Sequence, residues 1–245
     1  MVHDDETVDD LQIAGLNIIQ KKKGVKFGLD AVLLADFARI KKNARVCDLG
    51  TGSGIIPLLL HEHYSPSHID AVELLDEYAD MASRSVKLNK LEQVITVHNF
   101  DIKNINALLK SNDYNAIISN PPYKKFETGL SSTNNDFLTA HHEVHATIND
   151  IAKAAAYLLC DHGKVFIVHR PERLCDVIIA FNSYNIPVKR IRFVHSKQYS
   201  SPNLVLIEGL KNGRDGLLVL PPLYIYDENG NETEETRRIY RREVK

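Results

Sequence analysis

Arg45-Val46-Cys47-Asp48-Leu49-Gly50-Thr51-Gly52-Ser53-Gly54 is the stretch from which the rest of the chain can be read. Its apolar first half ends at a carboxylate and breaks into a loop in which every second residue is glycine. Ile55 to Glu62 then carries apolar residues suited to a helix. Strand, tight loop, helix is the opening unit of an alternating α/β sheet. The glycines let main chain approach a ligand closely. Their spacing is not that of the dinucleotide fingerprint, and no Gly-Lys-Ser/Thr follows to make a phosphate loop. A carboxylate at Asp48 repels phosphate and attracts ammonium, so the ligand implied is cationic or zwitterionic.

Outward from this unit the alternation continues. His68 to Glu73 reads as a second strand ending in an acid, and Leu75 to Leu88 as its helix. Val94 to His98 is a third strand, shortly before Asp101, and Tyr114 to Ser119 a fourth. Asn149 to Leu159 predicts a helix, Lys164 to Val168 a fifth strand, and Arg170 to about Tyr184 another helix. Lys189 to His195 and Asn203 to Glu208 predict two late strands that pair antiparallel. Such an order requires a mostly parallel sheet covered by helices on both faces, with an antiparallel edge. Residues 1–10 hold five acids and no Lys or Arg, and are expected to be a flexible lead. Residues 11–42 read as an extension made of a small hairpin over Leu11 to Gln20, a basic turn and an apolar helix started by Asp30, leading into a catalytic core over 43–245. Residues 124–147 are polar and without periodicity, which predicts a mobile substrate loop.

Three acids fall at the carboxyl ends of successive strands, where doubly wound folds bind ligands: Asp48, Glu73 and Asp101. Each alone is more often a cap or a solvated loop residue. Together they place a hydroxyl-binding carboxylate at Glu73 and, at Asp101 with the Ile102 backbone, an acceptor for a purine amino group. The fourth strand delivers Asn120-Pro121-Pro122-Tyr123. Pro121 forces Asn120 out of helical backbone, and two prolines make the turn rigid. The side-chain oxygen of Asn120 and the carbonyl of Pro121 are then two acceptors for one amino group, while Tyr123 offers a face to a planar ring. The alternative is a Pro-Pro strand terminator.

Residues 45–54, 73, 101 and 119–123 together resemble the class I S-adenosylmethionine-dependent methyltransferases of the amino-methylating branch. Beyond the core, the chain is similar to bacterial tRNA1(Val) (adenine-N6)-methyltransferases. That similarity rests on Phe27-Gly28-Leu29-Asp30-Ala31-Val32-Leu33-Leu34-Ala35, on His169-Arg170-Pro171-Glu172-Arg173-Leu174, and on Arg192-Phe193-Val194-His195 with Asn203 to Gly209. The resemblance implies a Rossmann-like, doubly wound, mostly parallel seven-stranded sheet with an antiparallel edge strand, and S-adenosylmethionine as cofactor. It implies that Gly50, Gly52 and Gly54 wrap the methionine part beside Asp48, that Glu73 holds the ribose, and that Asp101 and Ile102 hold the adenine. Phe27 and Asp30 would lie over the cofactor. Asn120, Pro121, Pro122 and Tyr123 would hold the target base, with Asn120 also beside the cofactor. The activity implied is methylation of the exocyclic N6 amine of a tRNA adenosine. Other RNA or DNA amino-methylation, protein glutamine methylation, or a non-catalytic RNA-binding module are the alternatives. The sequence departs from the pattern at His141, where an arginine is common.

An RNA partner asks for cations, and Lys21, Lys22, Lys23, Lys124, Lys125, Lys189, Arg190, Arg192 and the Arg237, Arg238, Arg241, Arg242 cluster are candidate phosphate contacts. Each is as readily a solvated face. The net charge of −2 gives no direct support. His141, His142 and His145 lack the His-Glu-x-x-His pattern, and no metal is expected. Three unpaired cysteines argue against a disulfide framework. With 44% hydrophobic and 25% charged residues, no long apolar run, and an acidic start where a secretory segment would be basic, a cytoplasmic enzyme is expected.

Overall fold

The computed structural model describes residues 2–23, 28–122 and 146–240. Phe27, Tyr123, Lys124, Lys125, His141, His142, His145, Arg241 and Arg242 lie outside the described residues, as does most of the expected 124–147 loop. A hairpin of β1 (Glu6–Asp10) and β2 (Asn17–Lys21) comes first, then α1 (Leu29–Ala38). The alternating region follows: β3 (Arg45–Leu49), α2 (Ile55–Tyr64), β4 (His68–Glu73), α3 (Asp76–Leu88) and β5 (Ile95–Asn99). A 3₁₀ turn (Ile102–Ala107) leads to β6 (Tyr114–Ser119). Beyond the undescribed segment come α4 (Ile148–Leu158), β7 (Leu159–His169), α5 (Leu174–Ser183), β8 (Val188–His195) and β9 (Pro202–Leu210). Two short strands, β10 (Leu218–Val219) and β11 (Leu223–Tyr224), precede α6 (Glu234–Ile239).

The sheet order is β10-β8-β9-β7-β6-β3-β4-β5, with β11 also pairing on β8. β5, β4, β3, β6 and β7 are mutually parallel, and β9 runs antiparallel between β7 and β8. The seven long strands are those expected from sequence. β10 and β11, two residues each and parallel to β8, bring the sheet to nine.

Its strands are nearly continuous apolar runs because both faces are covered. Side chains alternate between the faces. Val46, Ile118, Phe166, Val168 and Leu206 pack with Leu33 and Leu34 of α1 and Leu58 and Leu59 of α2. Cys47, Ile117, Val165, Ile167 and Val205 face the opposite layer, where α4 and α5 supply Ile151, Leu158, Val177 and Phe181. Pro57 is tolerated in α2 because it occupies the first turn, where its missing N–H has no intrahelical acceptor. Thr147 and Asp150 close a reciprocal capping box that starts α4.

The acidic lead is a correction. Residues 6–10 form β1, paired antiparallel to β2 from Glu6 opposite Lys21 to Asp10 opposite Asn17. Glu6 is buried, and its two oxygens accept from Nη1 and Nη2 of Arg84 on α3, each at 2.7 Å. β2 is stitched to the same helix where Ile19 N donates to Ser85 Oγ (3.0 Å) and Asn17 N to Asn89 Oδ1 (2.9 Å). Charge pairing with α3, which composition alone does not reveal, makes this segment ordered.

Candidate active site

β3 is the first strand of the parallel set. β4 and β5 are added on one side of it and β6 and β7 on the other, so the strand order reverses between β3 and β6. A doubly wound sheet opens a crevice at the carboxyl ends of such a pair. A cavity of about 280 Å³ lies there, walled by the loop after β3, the ends of β4 and β6, the turn after β5, and the start of α1.

The glycine loop is fastened to β4, since Gly50 N and Thr51 N both donate to Val72 O, at 2.9 and 3.0 Å. Glu73 braces it further: Oε2 accepts from Gly52 N (2.9 Å) and Oε1 from Leu75 N (3.0 Å). Each carboxylate oxygen retains a second lone pair, and the side chain lines the cavity. Gly50 and Gly52 have φ of +79° and +58°, and a Cβ on either would meet no atom within 4 Å. That empty margin is the cradle the close ligand approach requires, and both residues line the cavity.

Two of the motif residues lie off the cavity wall. Gly54 is one; its φ of +90° favours glycine, and a Cβ there would lie 3.2 Å from Ala82 Cβ of α3. Asp48 is also off the wall, wholly buried beneath the loop. Neither of its oxygens, nor the neighbouring Thr51 Oγ1, has a hydrogen-bond partner among the described residues. Burial pushes the Asp48 carboxyl up to about 7, opposed by the nearby Thr51 hydroxyl and reinforced by the Glu73 charge. An unpartnered buried carboxylate under an open glycine loop fits a cationic group bound above it.

Asp101 and Ile102 line the cavity from the end of β5, and Asp101 Oδ1 caps the 3₁₀ turn by accepting from Lys103 N at 2.9 Å. Asp30 reaches the cavity from the first turn of α1, its Oδ1 accepting from Ala31 N at 3.0 Å. On the other side, Asn120, Pro121 and Pro122 form the wall at the end of β6. Asn120 is half-buried and Pro121 buried. The turn is held by Ser119, whose buried hydroxyl donates to Leu49 O at 2.8 Å and ties the end of β6 to the end of β3.

Sequence reading passed over Ser119, Thr51, Tyr78 and Ile151, all of which line the cavity. Ser119 and Thr51 sit inside the two motifs and were signalled by that adjacency. Tyr78, in the first turns of the helix after Glu73, and Ile151, in α4, look like ordinary core positions.

The basic clusters are largely used inside the molecule. Lys21 is ion-paired with Asp5 and Glu77, and Lys22 Nζ donates to Asp4 O at 2.6 Å. Lys189 Nζ donates to the carbonyls of Arg214, Asp215 and Gly216. Arg190 pairs with Glu208 at 2.6 Å and lies over the Phe37 ring, while Arg192 makes two 2.8 Å bonds to Glu235. Each of Lys21, Lys189, Arg190 and Arg192 thus already serves carboxylates or carbonyls of its own chain. Lys23 is exposed.

A motif-bearing loop, two strand-end acids and a rigid Asn-Pro-Pro turn thus surround one cavity, with a third acid, Asp48, buried beneath the loop. The methyltransferase small domain family matches this chain over residues 23–194. The chain belongs to that family. This methyltransferase is 28% identical over 187 residues to the tRNA1(Val) (adenine(37)-N6)-methyltransferase of Photobacterium profundum, covering 76% of this chain and 77% of that protein. It is 28% identical over 214 residues to the enzyme of the same name from Aliivibrio fischeri, covering 84% and 86%. Its fold is similar to that of a predicted O-methyltransferase from Agrobacterium tumefaciens, with a TM-score of 0.70, 21% identity, and coverage of 88% and 98%. Among the described residues no helix of this methyltransferase is long and apolar enough to cross a membrane.

Proposed function

We propose that the protein transfers a methyl group from S-adenosylmethionine to the exocyclic N6 amine of an adenosine in tRNA, in the anticodon-loop position named for its relatives. The observation that carries this reading is that the Asn120-Pro121-Pro122 turn walls the same cavity as the Gly50 and Gly52 loop. Donor and acceptor sites therefore adjoin. The donor supplies an already activated methyl on a sulfonium. Gly50 and Gly52 give main chain room beside its methionine part, and Asp48 provides the buried negative charge below. Glu73 uses its remaining lone pairs for ribose hydroxyls, and Asp101 with Ile102 borders the adenine. Asn120 Oδ1 and Pro121 O would accept the two amine hydrogens and aim the nitrogen lone pair at the methyl. The N–C bond would form as the methyl–sulfur bond breaks to leave a neutral thioether, and the extra proton on nitrogen would pass to water afterwards, so the protein contributes positioning in place of a strong base. A loop base must leave its stack to reach such a recess. Residues 43–245 act as the catalytic core, with the preceding hairpin and α1 as its extension, and the setting is cytoplasmic.

The test is incubation with methyl-labelled cofactor, total RNA and total protein. Label in tRNA, recovered as N6-methyladenosine after digestion to nucleosides, supports the reading. Label on glutamine in protein, on another nucleoside, or nowhere overturns it.

A further inference from the structure

β8 and β7 both run antiparallel to β9, so the carboxyl end of β8 opens on the same rim of the sheet as the ends of β7 and β6. The β8–β9 connection at residues 196–201 therefore stands on the rim that carries Asn120. Its tip presents Tyr199 at 92% exposure, the highest among the exposed large hydrophobic side chains of the described residues. Tyr199 has φ of +65°, a conformation that a bulky aromatic keeps only when its surroundings hold it. The surroundings do hold it. Ser200 Oγ donates to Lys197 O at 2.7 Å and accepts from Lys197 N at 3.2 Å, Ser200 O lies 2.6 Å from His195 Nδ1, and Asn203 Nδ2 donates to Ser196 Oγ.

This held turn leaves the tyrosine it displays almost wholly in solvent. Two cations border it. Lys197 is exposed on the turn itself, and the exposed Arg170, one residue past β7, donates from Nη1 to Asn203 O at 3.2 Å on the return strand. Ser119 of β6 is in register with Ile167 of β7, and Ile167 with Ile207 of β9, which in turn pairs with β8. Ile207 faces Ile191 of β8, so three strand spacings of about 4.8 Å across the sheet and the further rise of about 3.3 Å per residue from Ile191 to His195 put the end of β8 roughly 20 Å from the end of β6. That is the reach of a base a few nucleotides from the target on the same strand.

We propose that Tyr199 is a stacking platform for a base a few nucleotides from the methylated one, with Lys197 and Arg170 toward the phosphates between them. The proposal rests on the RNA reading above and adds a second contact that sets RNA affinity, not chemistry. A ring in solvent on a fixed turn offers a π-face at little backbone ordering cost, and a splayed single-stranded base is the partner that uses such a face.

The chain has no tryptophan, so Tyr199→Trp introduces a single fluorescent reporter at this tip. Tyr199→Ala, Tyr199→Phe and Tyr199→Trp are assayed with an unmodified anticodon stem-loop RNA. The expected result is a KM for RNA raised about 5- to 100-fold in Tyr199→Ala and near the original value in Tyr199→Phe and Tyr199→Trp. kcat at saturating RNA, cofactor affinity and melting temperature stay unchanged in all three. Emission of Tyr199→Trp is quenched as RNA is added. A KM for Tyr199→Ala equal to that of the unaltered protein, or no change in Tyr199→Trp emission on RNA binding, overturns this inference while leaving RNA methylation standing. Absence of RNA methylation by the unaltered protein overturns both.

Discussion

Asn120 lies half-buried on the cavity wall at the end of β6, where its amide oxygen accepts a hydrogen bond but is no base. Asn120→Ala is expected to leave cofactor affinity unchanged in equilibrium dialysis while kcat falls about a hundredfold or more, since misplacing a reacting amine costs that much. Asp48 acts on the other half of the site. Its carboxyl is raised from 3.8 to about 7 by burial, so the donor-free protein loses stability as pH rises from 3.8 through 7, while the charge that attracts an ammonium is gained over the upper part of that window. Cofactor affinity of the unaltered protein should therefore fall by up to about tenfold per unit below pH 7. Asp48→Asn should bind the cofactor weakly with no such slope, and should melt higher than the unaltered protein at pH 8. Dialysis and thermal melts across pH 5.5 to about 8 read both effects.

At the scale of elements, the β1–β2 hairpin depends on a buried ion pair with α3. The Arg84 guanidinium bonded to Glu6 holds that carboxyl down at about 2 from 4.5. A depressed acid contributes stability above its unfolded pKa and loses it as pH falls through the folded one, here between 4.5 and about 2. Protection factors at Ile18 and Ile19, exchange rates taken relative to the intrinsic rate at each pH, should fall as pH drops across that window in the unaltered protein. In Glu6→Gln they should already be low at pH 6 and change little. The hairpin also marks where sequence reading stopped. The strands of the sheet were legible because burial on both faces made them apolar, and the acids and glycines of the site were legible because chemistry places them at strand ends. β1 was not, because Glu-Thr-Val-Asp-Asp carries little apolar signal and owes its order to Arg84, far along the chain. Lys189, Arg190 and Arg192 show the converse: a charge in a sequence does not show whether its partner is solvent, RNA or a group of the same chain.

For the molecule as a whole, two apolar layers on a single sheet set the global stability, and Gly209 shows how tightly they close. A Cβ at Gly209 would come within 2.8 Å of Ile186 Cγ2 and 2.9 Å of Val165 Cγ1, on a strand between β7 and β8. Gly209→Ala is expected to cost about 1–3 kcal/mol in urea unfolding, the usual range for overpacking, with cofactor affinity intact in the folded fraction. Gly52→Ala is the complement: its Cβ meets nothing, so loss of cofactor affinity should exceed the modest loss of stability from its positive φ.

The cavity walls also carry a directional consequence. Among the described residues, every lining residue falls between Gly28 and Pro122 except Ala146 and Ile151. Synthesis from the amino end therefore delivers nearly all of these walls before β7, β8 and β9 have emerged, leaving β6 with an unpaired outer edge for that interval. The Ser119–Leu49 bond joins residues that are both already made by then, so the Asn120 turn is anchored to the glycine loop before its outer neighbour arrives.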